Sequence, residues 1–124
     1  MNDPLFQPLT IRNVTFKNRF MSTSHACGLE ESGMPKERYQ RYHEEKAKGG
    51  IALTMFGGSS NIAPDSPNVF QQLYVGDDAV IPHLQQFSER VHAHGTAIMC
   101  QITHLGRRGE PYASNWLQIG RAHV

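Results

Sequence analysis

"IMCQITHLGRRG", Ile98 to Gly109, is the stretch on which the reading of this chain turns. Ile98, Met99, Ile102 and Leu105 are apolar, whereas Gln101, Thr103, His104, Arg107 and Arg108 are polar. It starts like a strand buried on both faces and ends in an amide, an imidazole and two guanidinium groups. A core strand has no use for such a tail unless its end meets something polar.

The preceding residues supply the context. Val80 to His94 reads as a helix, with Ile81, Leu84, Phe87 and Val91 at three- and four-residue spacing and Gly95 closing it. Ile51 to Phe56, "IALTMF", is a continuous apolar run that suits a strand of a parallel sheet, ending at Gly57-Gly58-Ser59-Ser60. Residues 57–80 then read as a long connection containing Pro64 and Pro67. Lys36 to Lys48 is rich in helix formers, with Pro35 at its start and Gly49-Gly50 at its end. Tyr39, Tyr42 and Ala47 form a weak apolar stripe on an otherwise charged helix, and His43 and His83 read as surface residues. Phe20-Met21 begins a short strand that runs into a loop at Ser22–Gly33. Leu9–Ile11 and Val14–Phe16 flank Arg12-Asn13 as a small hairpin.

The order is therefore a hairpin followed by β-α-β-α-β. Alternating strands and helices predict a parallel sheet, and in such folds ligands gather at the carboxyl ends of the strands. Each expected strand ends in small or polar residues: Ser22-Thr23-Ser24-His25, Gly57-Gly58-Ser59 and Gln101-Ile102-Thr103-His104. The polar tail of the third core strand would thus stand at the ligand face.

Bulk properties narrow the class. The chain has 124 residues, 39% hydrophobic and 19% charged, with a net charge of +1. That is ordinary globular composition, with no sign of a nucleic-acid or anionic-membrane partner. No apolar run is long enough to span a bilayer, and "MNDPLFQPLT" does not read as a signal peptide. Two cysteines, Cys27 and Cys100, make no disulfide framework and fit a reduced, cytoplasmic setting. Cys100 alternates with Gln101 and is expected to pack outward against a helix. His92 and His94 are two apart on a helix, so they face different ways and predict no metal site.

Taken in order, "PLFQPLTIRNVTFKNRF" (Pro4–Phe20), "GGSS" (Gly57–Ser60) and "CQITHLGRRG" (Cys100–Gly109) resemble the amino-terminal part of the old yellow enzyme family. Its members are flavin-dependent oxidoreductases on a TIM barrel. "GLEE" (Gly28–Glu31) and "QITHLGR" (Gln101–Arg107) look closest to its 2,4-dienoyl-CoA reductase branch. "NRF" (Asn18–Phe20) and "SHACG" (Ser24–Gly28) are similar to the trimethylamine dehydrogenase and dimethylglycine or N-methylproline demethylase branch.

The resemblance implies an α/β fold: about three β-α units of a (β/α)8 barrel, with the hairpin plugging the bottom and FMN across the top. By position, Ser24, His25 and Ala26 match the segment under the flavin near its N5 edge, and Gly57 matches a small residue beside the ring. Gln101 matches the family glutamine that meets the flavin pyrimidine, where an amide can both donate and accept. His104 and Arg107 lie just beyond it, and Arg107 would offset negative charge on reduced flavin or on a substrate carboxylate. The cysteine that binds flavin covalently in trimethylamine dehydrogenase aligns with Ala26, while Cys27 is one residue later. Non-covalent FMN is therefore expected. NAD(P)H and an iron–sulfur cluster are further cofactors of the longer relatives. The catalytic residues are expected beyond the third strand, and the substrate is a small molecule, either an enoyl-CoA type or an N-methylated amine.

A full barrel needs about 250 residues. Residues 1–117 are read as its amino-terminal part. The last seven residues, "QIGRAHV" (Gln118–Val124), match a translation of common sequencing-adapter DNA, so native sequence is expected to end near Leu117. Two other readings stand beside this one: a flavin-free TIM-barrel enzyme such as an aldolase, and a stand-alone α/β binding module.

Overall fold

The computed structural model describes residues 2–66 and 71–106. Strands β1 (Leu9–Ile11) and β2 (Val14–Phe16) pair antiparallel, with Leu9 opposite Phe16. Arg12 makes the turn in the left-handed region at φ 53°. Strands β3 (Met21–Ser22), β4 (Leu53–Asn61) and β5 (Ala97–Thr103) form a parallel sheet in that order. Helices α1 (Glu37–Lys48) and α2 (Ile81–His92) connect them. The pairings are parallel, as the alternating pattern predicts, and sheet order follows chain order.

Register assigns the two faces of the sheet. Met21, Leu53 and Ala97 align across the strands, as do Met55 and Met99, while Thr54, Phe56, Ile98 and Cys100 take the alternate positions. The second set meets the helices. Phe56 packs with Tyr39, Ala47, Phe87, Val91 and Leu73 in one buried cluster, and Ile98 and Cys100 border it. Phe87 is fully buried, and its ring centroid lies 4.9 Å from that of Phe56 and 5.9 Å from that of Tyr39. Burying one such ring stabilises the fold by roughly 1.5–3 kcal/mol. On the opposite face Met21 and Met99 remain about half exposed. Cys100 does pack on the helix side, where burial pushes its thiol pKa up.

The hairpin lies at the amino ends of the strands. Leu9, Ile11 and Phe16 line a small cavity with Phe20, Met21, Ala52 and Leu53. Lys17 Nζ donates to the His94 carbonyl at 2.7 Å and Asn18 Nδ2 to the Gly50 carbonyl at 2.7 Å. Each carbonyl lies three residues before a core strand, so these bonds tie the hairpin beneath the sheet.

Three expectations need correction. β4 does not stop at Phe56. Its pairing with β5 slips after Phe56–Cys100 and resumes at Ser60–Ile102 and Asn61–Thr103. The glycines make a bulge inside the strand rather than an end to it. The expected 57–80 connection is correspondingly shorter, and its return is paired as well: Asn61 N donates to the Leu73 carbonyl and Val75 N to the Asn61 carbonyl, each at 2.8 Å.

The second correction is His43, which is 2% exposed. α1 lies on β4, whose Thr54 also faces the helix. His43 Nδ1 sits 2.8 Å from Thr54 Oγ1, giving the imidazole a polar partner inside the cluster. Burial pushes the His43 pKa down to about 3, with the charges of Lys46 and His25 adding to the effect. Its Nε2 has no hydrogen-bond partner among the described residues. The third is His83, which is half-buried rather than on the surface.

The other side of α1 is charged and solvated, as expected. Glu37 pairs with Arg41 at 2.7 Å and with Arg90 of α2 at 2.6 Å. Hydrogen bonds from Arg90 and Arg41 hold the Glu37 carboxyl below its usual range. Among the described residues no helix is long and apolar enough to cross a membrane, and no group of three or more His, Cys, Asp or Glu could hold a metal.

Candidate cofactor site at the carboxyl ends of the strands

The tails of the three core strands converge. Ser24 Oγ, just past β3, is 2.5 Å from Gln101 Oε1 on β5. The backbone N–H of Ser59, in the β4 bulge, donates to the same oxygen at 3.3 Å. One amide therefore joins all three strands. Gln101 is exposed, and its Nε2 has no partner among the described residues.

The bulge that brings Ser59 there is unusual backbone. Gly57, Gly58 and Ser59 all have positive φ, at 111°, 53° and 80°. A Cβ on Gly58 would lie 2.0 Å from the His25 carbonyl carbon and 2.2 Å from Ala26 N. Only glycine lets β4 press so closely on the β3 tail. At Gly57 a Cβ would meet Ser60 Oγ at 2.5 Å and the Gln101 carbonyl oxygen at 2.7 Å. The hydrogen side of Gly57 is thus taken up by its own strand and by β5. Gly57 N–H donates to the buried Tyr39 hydroxyl at 3.0 Å, so α1 holds the bulge from below. Burial raises the Tyr39 pKa, and this phenol stays protonated.

The β3 tail is anchored from α1 as well. His25 Nε2 lies 2.8 Å from the Tyr42 hydroxyl, with the two rings edge to face. Lys46 sits over the Tyr42 ring at 4.3 Å and donates to Ser22 Oγ at 2.8 Å. His25 and Ala26 are exposed beside Gly58.

Of the residues read from sequence, Ser24, His25, Ala26, Gly57 and Gln101 come together at this edge. Cys27 does not, because it packs against the helix-side cluster. His104 turns away toward the loop after β4, its Nε2 3.2 Å from Asp65 and its Nδ1 accepting from Gly106 N at 3.1 Å. Arg107 and Gln118–Val124 lie outside the described residues. Sequence reasoning placed Gly58 and Ser59 at the ligand face as a strand end without giving either a role in the site, and it missed Tyr39. The signal for Tyr39 was its hydroxyl at the tip of an otherwise apolar ring in the α1 stripe, since buried tyrosines need a partner.

A parallel β/α unit whose strand tails offer an exposed amide on a small-residue shelf is built to take the edge of a flat polar ligand. The chemistry of these donors fits FMN, whose pyrimidine edge carries carbonyl acceptors. Residues 4–116 match the NADH:flavin oxidoreductase / NADH oxidase family. The "multifunctional alkene reductase/demethylase OYE" of Caballeronia cordobensis is 64% identical over 118 residues, which are 95% of this chain and 18% of that protein. The "probable N-methylproline demethylase" of Rhizobium meliloti (strain 1021) is 43% identical, over 95% of this chain and 17% of that protein. Among solved structures, a 2-naphthoyl-CoA reductase in complex with 2-naphthoyl-CoA superposes with a TM-score of 0.81 at 24% identity, covering 89% of this chain and 17% of that one. That likeness shows the fold.

The chain belongs to the NADH:flavin oxidoreductase / NADH oxidase family, the FMN-dependent oxidoreductases that include old yellow enzyme. It spans less than a fifth of the length of these curated relatives.

Proposed function

We propose that residues 1–117 are the first β/α units of an FMN-binding (β/α)8 barrel, and that the whole enzyme moves hydride between NAD(P)H or an amine and a small-molecule substrate. The observation that carries this is the meeting of Ser24, Ser59 and Gln101 at one exposed edge. Bound FMN would accept and donate hydride. Gln101 would hold the pyrimidine edge of the ring, and Ser24, His25 and Ala26 would form the shelf below it. Arg107, by its sequence position, would offset negative charge near the same edge.

The open face of the sheet, with Met21 and Met99 half exposed, suits the inner wall of a barrel closed by further strands. Ile81, 47% exposed beside Leu84, Ile98 and Cys100, suits a surface that the next helix covers. An iron–sulfur cluster would draw its ligands from elsewhere in the whole enzyme. The relatives' names support an alkene or an N-methylated amine as substrate, and the GLEE and SHACG segments divide between those two branches.

The test is to purify the complete enzyme that carries this segment. It is expected to be yellow, to release FMN on denaturation, and to bleach without oxygen when given NAD(P)H or an N-methylated amino acid. A colourless protein that takes up no FMN would overturn the reading and favour a flavin-free barrel.

A further inference from the structure

We propose that Ser66 is a positioning residue that fixes the exit of β5 and, through it, the contribution of Arg107 to the flavin. The inference rests on the flavin reading above and deepens it. Ser66 is 3% exposed, and its hydroxyl lies between two strand ends. Leu105 N, just past β5, donates to Ser66 Oγ at 2.9 Å, and a main-chain N–H can only donate. The single hydroxyl proton is therefore left for Asn61 Oδ1, 3.0 Å away at the end of β4. That settles which way round the Asn61 amide lies. Asn61 is held in turn, because its N–H and carbonyl pair with the Leu73 carbonyl and the Val75 N–H.

The residue before Ser66 acts on the same turn. His104 Nδ1 accepts from Gly106 N at 3.1 Å, so the ring proton sits on Nε2, which lies 3.2 Å from the Asp65 carboxylate. Asp65 and Ser66 thus hold three consecutive residues, His104, Leu105 and Gly106, and Gly106 turns the chain at φ 53°. A buried hydroxyl–amide pair adds little net stability, but its directional bonds select one arrangement of the chain. The residue that follows this turn is Arg107. An arginine offsets charge only as well as it is aimed, because the attraction falls with distance. Hydride transfer from NAD(P)H puts two electrons and one proton on FMN, leaves NAD(P)+ and adds one negative charge to the flavin. Arg107 favours that reduced form and raises the midpoint potential. Ser66 supports the effect without touching the ring, by holding the turn from which Arg107 starts.

The experiment measures the FMN midpoint potential of the complete flavoprotein by anaerobic spectroscopic titration, with melting temperature alongside, for Ser66→Ala, Arg107→Ala and the double variant. Arg107→Ala is expected to lower the ratio of reduced to oxidised flavin at fixed potential about tenfold, which for two electrons is about 30 mV. Ser66→Ala is expected to lower it about threefold, and the double variant no further than Arg107→Ala alone. Ser66→Thr keeps the hydroxyl and is expected to hold the wild-type potential. A merely structural Ser66 would lower the melting temperature and leave the potential alone, or would shift the potential equally with and without Arg107. Either result overturns the inference and leaves the flavin reading standing, as does Arg107→Ala at the wild-type potential. If Ser66→Ala does not fold, Asp65→Ala, at a half-buried position, takes its place with the same expectations. A wild-type protein without flavin overturns both.

Discussion

The helix side of the sheet and the carboxyl ends of its strands are made by the same residues of β4 a few positions apart, and they obey opposite rules. From Leu53 to Phe56 the strand alternates in strict register with β5. Its Thr54 and Phe56 enter a dense cluster with Tyr39, His43 and Phe87. From Gly57 to Ser59 the register slips, three residues in a row take positive φ, and polar groups face outward. A non-glycine residue in that region, such as Ser59, costs about 1–2 kcal/mol. The first half stores stability. The second spends some of it to bring the Ser59 N–H to Gln101. Tyr39 links the halves, with its ring in the cluster and its hydroxyl on Gly57 N.

Variants can break this division in order of expected size, each measured by denaturant unfolding of the complete enzyme together with FMN retention. Phe87→Ala empties the centre of the cluster and should cost about 3–5 kcal/mol, with flavin lost only as the protein unfolds. Gly58→Ala places a methyl group on the His25–Ala26 peptide at φ 53°. It should cost about 3 kcal/mol from overpacking and backbone strain together, and should lose flavin even where the protein stays folded. If Gly58→Ala kept both stability and flavin, the tight approach of β4 to the β3 tail would be unnecessary.

Tyr39→Phe keeps the ring and removes the partner of a buried N–H, so about 1–2 kcal/mol should be lost. Because it acts on both halves, it should weaken flavin retention beyond what its stability loss explains. An effect on stability alone would place Tyr39 wholly in the cluster.

The smallest effect is a pH dependence. The folded pKa of His43 is about 3, below its unfolded value of 6.5. The unfolded chain therefore binds a proton that the folded one refuses, and the contribution is full above the unfolded pKa and lost as pH falls toward the folded one. Between pH 6.5 and 5.5 the loss should be about 1 kcal/mol. His43→Phe should flatten that part of the profile, and an unchanged slope would mean that the imidazole gains a proton without leaving the core.

How far the sequence could be read differs between the two regions. α2 was legible because Leu84, Phe87 and Val91 recur at helical spacing, and β5 because Ala97–Thr103 is a compact apolar run. α1 was legible as a helix but not in what it buries. Its Gln40 and His43 are polar, and their burial depends on partners outside the helix. Gln40 Nε2 reaches the Pro35 carbonyl at 2.8 Å and Gln86 Oε1 at 3.1 Å, and His43 reaches Thr54. At the site, Ser24, His25 and Gln101 stood out as polar tails on apolar strands. Gly57-Gly58 was misread as a strand end because glycine interrupts a strand pattern whether the chain stops or bulges. Cys27 and His104 sit beside site residues in sequence, yet one packs inward and the other reaches Asp65.

By itself the sequence determined the order of elements, the parallel sheet and the concentration of polar groups at the strand ends. These follow from periodicity and chain punctuation, which are local. Only the tertiary structure decided that Ser24 and Ser59 meet the Gln101 amide, that Gly58 is needed by a neighbouring backbone, and that Tyr39 supports the bulge. Each of these depends on groups 18 to 77 residues apart brought within a hydrogen bond or a van der Waals contact, and no local pattern encodes such a distance.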